Sequence, residues 1–262
     1  MFVTASKSAP GVVVVTLSRP ERMNALSMDV ARELLTTLDR IAKERDTAVV
    51  ILTGEGRGFC AGGDVKEMAL NRNKTQEQRH ADLALMHQIP RRIAQMPQVV
   101  IAAVNGAAYG AGLAVALTCD LVMAGRSARF GTAFLKQGLV SDFGLSYQLT
   151  RLAGPAVARQ VILTDRVLCA DEAKTLGLVG EVHDDPALMG RAGHLADKIA
   201  AWPGDARSGM KHLLRRAETA DHETMLGLEA DMQGQLILSA AHEQAVDQFN
   251  AGPSTPPVDP SP

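Results

Sequence analysis

Two short glycine-bearing segments have the composition needed for backbone catalysis: residues 59–64 (FCAGGD) and residues 105–112 (NGAAYGAG). Each follows an apolar, β-branched run, residues 48–53 for the first segment and residues 99–104 for the second. A strand that ends in a loop of small residues leaves backbone N–H groups reachable, and two such loops can direct two donors at one oxygen. The pattern predicts an oxyanion hole that stabilises an enolate or a tetrahedral intermediate.

The second segment runs into the apolar residues 113–117, which are typical of a buried helix. The first N–H groups of such a helix, and the positive end of its dipole, attract a negatively charged oxygen. The alternative is that each segment is only a turn, which is the usual role of one glycine-rich strand end. Neither segment reads as G-x-G-x-x-G, and G-x-x-x-x-G-K-[ST] is absent from the sequence, so dinucleotide and nucleoside-triphosphate sites are disfavoured.

Bulk composition narrows the functional classes. A chain of 262 residues can bury one sizeable core, and a net charge of −2 offers no electrostatic case for nucleic acid. Cys60, Cys119 and Cys169 are scattered without a C-x-x-C pair, and the histidines lack metal-ligand spacing, so we expect a reducing, cytoplasmic setting and no metal. The N-terminal residues lack the order of a signal peptide, and no apolar run reaches membrane-spanning length, so we expect no membrane partner.

Strand and helix patterns alternate through the first two thirds of the chain, which predicts an α/β fold with right-handed crossovers. Helical periodicity covers residues 29–43 and 81–96, the latter stopped by Pro97, while the polar residues 66–80 are predicted to form a mobile or helical cover. Strands are predicted at residues 11–17, 48–53, 99–104 and 121–124.

From residue 170 onward the pattern becomes helical. A helix start is indicated at residue 170, and further helices are predicted at residues 188–201, 206–217 and 223–249. Their apolar faces suit either a subunit interface or packing onto the core. We therefore divide the chain into a core (1–195), a C-terminal helical region (196–251) and a proline-rich disordered tail (252–262).

Four ordered motifs resemble the crotonase superfamily, the enoyl-CoA hydratase/isomerase family: RPERMNAL at residues 19–26, GFCAGGDV at 58–65, IAAVNG at 101–106 continuing to Asp120, and residues 163–179. The resemblance implies a spiral of ββα turns with a C-terminal helical trimerisation region, assembled as a homotrimer or a dimer of trimers. It also implies an acyl-CoA thioester as substrate, so that coenzyme A is part of the substrate and no separate cofactor is needed.

The resemblance also implies site residues. The thioester oxygen is expected between the backbone N–H groups of Gly63 and Ala111. Residues expected to bind coenzyme A or to shape the acyl pocket are Arg22, Asn24, Ala25, Leu26, Ala61, Gly62, Asp64, Val65, Lys66, Tyr109, Gly110 and Phe134. Relatives carry a cation shortly after a C-terminal phenylalanine, whereas Phe249 here is followed by residues 250–253 (NAGP).

The sequence departs from a hydratase of this family at two catalytic positions. The two glutamates that handle water and a proton fall on Ala114 and Phe134, and neither side chain can transfer a proton. Because such general acid–base groups each contribute about 10²–10⁴-fold to rate, ordinary enoyl-CoA hydration is disfavoured. Asp142 instead stands where dienoyl-CoA isomerases and ring-opening phenylacetyl-CoA isomerases carry a catalytic aspartate, and where aromatic-CoA dehalogenases carry their nucleophile.

Three hypotheses follow. The leading one is an acyl-CoA isomerase in which Asp142 moves a proton and the two amides stabilise the enolate. The second is an aryl- or acyl-CoA hydrolase or dehalogenase with Asp142 as nucleophile and His87 as base. The third is a catalytically weak acyl-CoA-binding protein. A structural alternative for Asp142 is that it caps a helix beginning at Phe143.

Overall fold

A computed structural model of the chain describes residues 1–251, and the predicted tail at 252–262 lies outside the described residues. The described residues form two compact units, which divide between Ala201 and Trp202. The boundary predicted at residue 195 falls inside the helix Leu188–Ala200.

The larger sheet of the first unit contains six strands in the order β1-β2-β3-β5-β7-β10. The first two strands pair antiparallel and the other neighbours pair parallel. Central strands such as β3 are buried along their whole length, as continuous apolar runs in a parallel sheet require. The strands are β1 (Val3–Ala9), β2 (Val12–Leu17), β3 (Val49–Gly54), β5 (Val99–Val104), β7 (Leu121–Gly125) and β10 (Glu181–His183).

A second sheet has four shorter strands in the order β4-β6-β8-β9, namely β4 (Gly58–Cys60), β6 (Ala107–Tyr109), β8 (Arg129–Gly131) and β9 (Leu168–Cys169). Successive turns of the chain send one strand to each sheet and then a helix, which is the predicted ββα spiral. The four strands predicted from sequence are confirmed as β2, β3, β5 and β7.

Helix α1 (Met28–Ile41) is amphipathic and buries Val30, Leu34, Leu38 and Ile41. Its N-terminus is capped by Ser27, whose side chain accepts a hydrogen bond from the Val30 amide at 3.2 Å. The predicted cover at residues 66–80 is mostly helical, because α2 (Val65–Leu70) and the first turns of α3 (Gln76–Met86) fall within it.

The prediction of one helix over residues 81–96 is wrong. Helix α3 ends at Met86 and α4 (Gln88–Gln95) begins two residues later, with His87 at the junction. Pro90 explains the break, because a proline has no N–H for the Met86 carbonyl and its ring clashes with that carbonyl in a continuous helix. In the first turn of α4 the same proline is tolerated.

The apolar helix predicted after the second glycine segment is α5 (Ala111–Thr118), which is buried along its whole length. Helix α6 (Leu145–Leu163) follows β8 and contains a non-helical residue, Gly154, at φ +80 just before Pro155. Two further helices complete the first unit, α7 (Ala170–Thr175) and α8 (Leu188–Ala200).

The second unit is helical, as predicted, and contains α9 (Gly204–Ala217), α10 (His222–Ile237) and α11 (Ala240–Asn250). The single helix predicted over residues 223–249 is interrupted at Leu238 and Ser239, because the Ser239 hydroxyl accepts from the His242 amide at 3.2 Å and starts a new helix. None of the helices within residues 1–251 is long and apolar enough to cross a bilayer.

Asn24 is a fully buried polar side chain that joins the first motif to the turn before β4. Its Nδ2 donates to the carbonyl oxygens of Glu55 at 2.9 Å and Gly58 at 2.7 Å, and its Oδ1 accepts from the Arg19 amide at 2.8 Å. Asn24 adopts a left-handed backbone (φ +56), which asparagine tolerates better than most residues. Both polar atoms of the Asn24 side chain, a predicted binding residue, are therefore hydrogen-bonded within the protein.

We expect Asn24→Ala to destabilise the first unit by about 1–3 kcal/mol, because buried backbone groups of the turn lose their partners. The exposed Asn73 provides a matched control, and Asn73→Ala is expected to leave stability unchanged. Thermal and urea unfolding of the full chain, followed by circular dichroism, measure both variants. Equal unfolding midpoints for Asn24→Ala and the parent would contradict this structural role.

Candidate active site

Gly63 lies in the loop after β4, where its neighbours form a short parallel bridge with Leu26. The Leu26 amide donates to the Gly62 carbonyl at 2.7 Å, and the Asp64 amide donates to the Leu26 carbonyl at 3.0 Å. Successive N–H groups point in opposite directions along an extended chain. Because the Asp64 N–H points toward Leu26, the N–H of the preceding Gly63 faces away from this bridge. Within residues 1–251 it has no recorded acceptor.

Ala111 is the first residue of α5, so its N–H has no acceptor within the helix. Gly110 precedes it with φ +52 and lets the chain turn sharply from β6 into the helix. Gly112 packs on the backbone carbonyl of Cys60, where any Cβ would collide. The second glycine segment is thereby held directly against the end of β4.

The two loops approach each other at Gly62, which adopts φ +92. A Cβ on Gly62 would lie 2.7 Å from the Tyr109 carbonyl oxygen and 3.4 Å from the Ala111 amide nitrogen. This approach follows from the parallel pairing of β4 with β6, which places the ends of both strands at one edge of the sheet. The amides of Gly63 and Ala111 therefore occupy adjacent loops.

A cavity of about 670 Å³ opens beside these loops. Its lining includes Gly63 and Ala111 together with the predicted acid Asp142 and the aromatic Phe134. Of the remaining predicted binding residues, Leu26, Asp64 and Val65 line it as well.

Asp142 lies on the segment between β8 and α6. Its Oδ1 accepts from the Phe143 amide at 2.8 Å and is 2.6 Å from Nε2 of His87. The alternative that Asp142 caps the following helix is wrong, because α6 begins at Leu145, its N-cap residue is Gly144, and no side chain caps it. The structure thus brings together two residues that are 55 positions apart in sequence.

Phe134 is positioned by the loop that follows β8. Asp165 fixes that loop by accepting from the Thr132 hydroxyl at 3.0 Å and from the Ala133 amide at 2.8 Å. The Lys136 ammonium, 2.8 Å away, and these hydrogen bonds lower the pKa of the Asp165 carboxyl despite its burial. The Phe134 ring approaches Gly110, where a Cβ would lie 3.6 Å from it.

Asp64 lines the cavity, but its carboxylate is engaged within the protein. It caps α2 by accepting from the Lys66 amide at 3.0 Å and the Glu67 amide at 3.2 Å, and it pairs with the Arg19 guanidinium at 2.7 Å. Burial acts to raise the pKa of Asp64, but the Glu67 amide, Arg19 and the Lys66 amide outweigh it and lower that pKa. The side chain is therefore a fixed anion that organises the loop after Gly63.

Eight predicted binding residues are not in the cavity lining. Lys66 is exposed and Arg22 is half-buried. Gly62 and Gly110 act through their left-handed backbone conformations, which let the two loops turn and approach each other. Tyr109 packs over Gly131. The others are Asn24, Ala25 and Ala61, of which the first two are buried.

The two hydratase glutamate positions carry no acid in the structure. Ala114 is fully buried within α5, and Phe134 presents a ring to the cavity. Cys60 lies near both loops, but its full burial raises the pKa of the thiol to about 12, which leaves it inert as a nucleophile. Within residues 1–251 no cluster of His, Cys, Asp and Glu could hold a metal ion.

One wall of the cavity comes from α3 and contains Arg79, Asp82, Leu83 and Met86. Arg79 lies within the predicted cover at residues 66–80, whereas sequence reasoning missed the other three. Spacings of three and four place these residues on one helical face, and that periodicity was available in the sequence. Met28 and Met68 also line the cavity, and no sequence signal separates them from ordinary core methionines.

Known proteins resemble this chain along almost its whole length. The family model for enoyl-CoA hydratase/isomerase matches residues 7–251. The chain is 37% identical over 246 residues to the 1,2-epoxyphenylacetyl-CoA isomerase of Escherichia coli K12, covering 92% of each protein. It is 35% identical over 239 residues to the short-chain-enoyl-CoA hydratase of Clostridium acetobutylicum, covering 91% of this chain and 90% of that protein.

Among solved structures, the crystal structure of an enoyl-CoA hydratase from Bacillus anthracis superposes with a TM-score of 0.92 at 32% identity, and 96% of each chain is covered. The alternating strands of two sheets, the helical C-terminal unit and the near-complete match in sequence and structure lead to one assignment. The chain belongs to the enoyl-CoA hydratase/isomerase family of the crotonase superfamily, whose members act on acyl-CoA thioesters.

Proposed function

We propose that this protein is an acyl-CoA isomerase that works through a thioester enolate. The observation that carries the proposal is that Gly63, Ala111 and Asp142, the residues that the resemblance assigns as two backbone donors and an acid, line one cavity. Each of the three has one role. The amides bind the thioester oxygen, and Asp142 accepts a proton from the substrate and returns it.

The proposed reaction needs no water and no second acid. The Asp142 carboxylate removes a proton from the α- or γ-carbon, and the electron pair moves onto the thioester oxygen as an enolate. The amides of Gly63 and Ala111 stabilise that charge in a cavity from which the acyl group excludes water. Asp142, now protonated, delivers the proton to another carbon of the acyl group, and the carbonyl re-forms with the double bond shifted.

The composition of the site supports isomerisation over hydration. Ala114 and Phe134 replace the two acids that a hydratase of this family uses, and the cavity wall from Leu139 to Phe143 is apolar on either side of Ser141 and Asp142. The name of the E. coli relative describes an isomerase, whereas other relatives are named hydratases. The absence of both glutamates supports the isomerase.

The binding of coenzyme A and the assembly of the enzyme are part of the same proposal. Arg22 and Lys66 are the candidate phosphate ligands near the first oxyanion loop, and a homotrimer or dimer of trimers in the cytoplasm is the proposed working form. Support for assembly comes from the second unit, which exposes Trp202, Leu238 and Phe249. Sedimentation analysis of the full chain tests the oligomeric state.

Asp142→Asn is expected to retain acyl-CoA binding and to lose at least about 100-fold in turnover, because an amide cannot accept the proton. Turnover is measured as double-bond migration in a β,γ-unsaturated acyl-CoA and as deuterium uptake into phenylacetyl-CoA in D₂O. Asp29→Asn on the exposed face of α1 is the matched control and should keep the parent rate. Full turnover by the Asp142→Asn enzyme would contradict the proposal.

Replacement of Ala111 tests the second oxyanion donor. Proline is tolerated at the first position of a helix, so Ala111→Pro is expected to preserve the fold while removing the N–H, with a loss of about 10²–10³-fold in kcat. Ala111→Gly keeps the N–H and is the matched control, expected to stay close to the parent. The assignment of this donor fails if the proline and glycine variants turn over equally fast.

A second candidate function is supported by the short contact between His87 Nε2 and Asp142 Oδ1. In that alternative Asp142 attacks the substrate and displaces either the coenzyme A thiolate from an acyl group or a halide from an aryl ring. His87 then takes a proton from the water that hydrolyses the resulting acyl- or aryl-enzyme. Rapid quenching of an active reaction followed by peptide mass spectrometry distinguishes the two functions. A covalent adduct on Asp142 would favour the hydrolytic enzyme, and an unmodified Asp142 during turnover supports the isomerase.

A further inference from the structure

His87 occupies a position created by a break in the helical cover of the cavity. It follows the last residue of α3, and its own amide still donates to the Leu83 carbonyl at 2.8 Å. The next helix, α4, is anchored in the core by Ile89 and Ile93, both fully buried. The histidine therefore projects from a backbone that is fixed on its C-terminal side by core packing.

The segment that carries Asp142 has an unusual backbone conformation. Gly138, Phe143 and Gly144 all have positive φ, of +68, +54 and +78. A left-handed conformation is unfavourable for phenylalanine, so contacts from elsewhere must maintain it. The His87 ring supplies one such contact, edge-on to the buried Phe143 ring with centroids 5.5 Å apart and an interplanar angle of 85°.

Both recorded hydrogen bonds of the Asp142 carboxylate fall on the same oxygen. Oδ1 receives the Phe143 amide and faces His87 Nε2, whereas Oδ2 has no recorded partner within residues 1–251. Two contacts on one oxygen fix the plane of a carboxylate and direct the other oxygen elsewhere. Because Asp142 lines the cavity, the second oxygen is the one available to a substrate.

We propose that His87 is a positioning residue, which donates from Nε2 to Oδ1 and thereby holds Oδ2 of Asp142 ready to take the substrate proton. This inference rests on the proposed function and deepens it. His87 does not itself exchange a proton with the substrate in this arrangement, because its Nε2 is already engaged by the acid. A hydrogen-bond donor at that position is sufficient for the role, and a base is not required.

Substitution of His87 separates positioning from base catalysis, because glutamine can donate a hydrogen bond but cannot act as a base. With phenylacetyl-CoA in D₂O as the probe, we expect His87→Ala to lower kcat for exchange by about 10- to 100-fold while leaving KM nearly unchanged. His87→Gln is expected to restore most of that loss. His80→Ala, on the exposed part of α3, is the matched control and should match the parent.

Two results would overturn the positioning role: His87→Ala with the parent kcat, or His87→Gln as impaired as His87→Ala. Asp142→Asn is measured in the same assay so that the two proposals can fail separately. Exchange at the parent rate in Asp142→Asn would contradict the proposed function itself. An inactive Asp142→Asn together with a fully active His87→Ala would contradict only the inference about His87.

Discussion

The parallel pairing of β4 with β6 is the constraint on which the site depends. The register Gly58↔Ala107 and Cys60↔Ala108 brings the ends of two strands, nearly fifty residues apart in sequence, to the same edge of the small sheet. The chain leaves this edge through two glycine loops that pack backbone against backbone, with Gly112 directly on the Cys60 carbonyl. A side chain at that contact would separate the loops and, with them, the amides of Gly63 and Ala111.

Backbone strain surrounds the cavity and is offset by specific partners. Ala133 and Phe143, two residues with side chains, adopt left-handed conformations next to Phe134 and Asp142. Asp165 holds the first of these segments through the Ala133 amide, and the Phe143 amide is held by Asp142 itself. Each strained residue is thus next to a residue that lines the cavity. Strained backbone conformations are expected at such places, because they cluster at functional sites.

Features encoded locally could be predicted, and features that depend on side-chain contacts could not. Continuous apolar runs predicted the central strands, and the glycine segments predicted both loops. The break at His87 has a local cause in Pro90. The prediction of one helix followed the helical periodicity of residues 81–96 and did not take this proline into account. The contact of His87 with Asp142 joins distant parts of the chain, so no spacing rule reveals it. The structural role of the Asn24 side chain could not be predicted either, because its two acceptors, the carbonyl oxygens of Glu55 and Gly58, lie more than 30 positions away in sequence.

Asp142 is the one carboxylate of the cavity that is given a proton-transfer role here, because Asp64, Glu67 and Asp82 all have partners within the protein. One such acid permits a narrower set of reactions than a pair. Hydration needs one group to activate water and another to supply a proton, and in this chain the buried Ala114 and the ring of Phe134 stand at those two positions. A single acid that takes a proton returns a proton, the same one or one exchanged with solvent, to the same face of the acyl chain. Within the proposed mechanism, Asp142 therefore favours a shift of hydrogen along one face of the substrate, with no net gain of water. That consequence follows from the use of a single acid in the proposed mechanism, whatever the length of the acyl group.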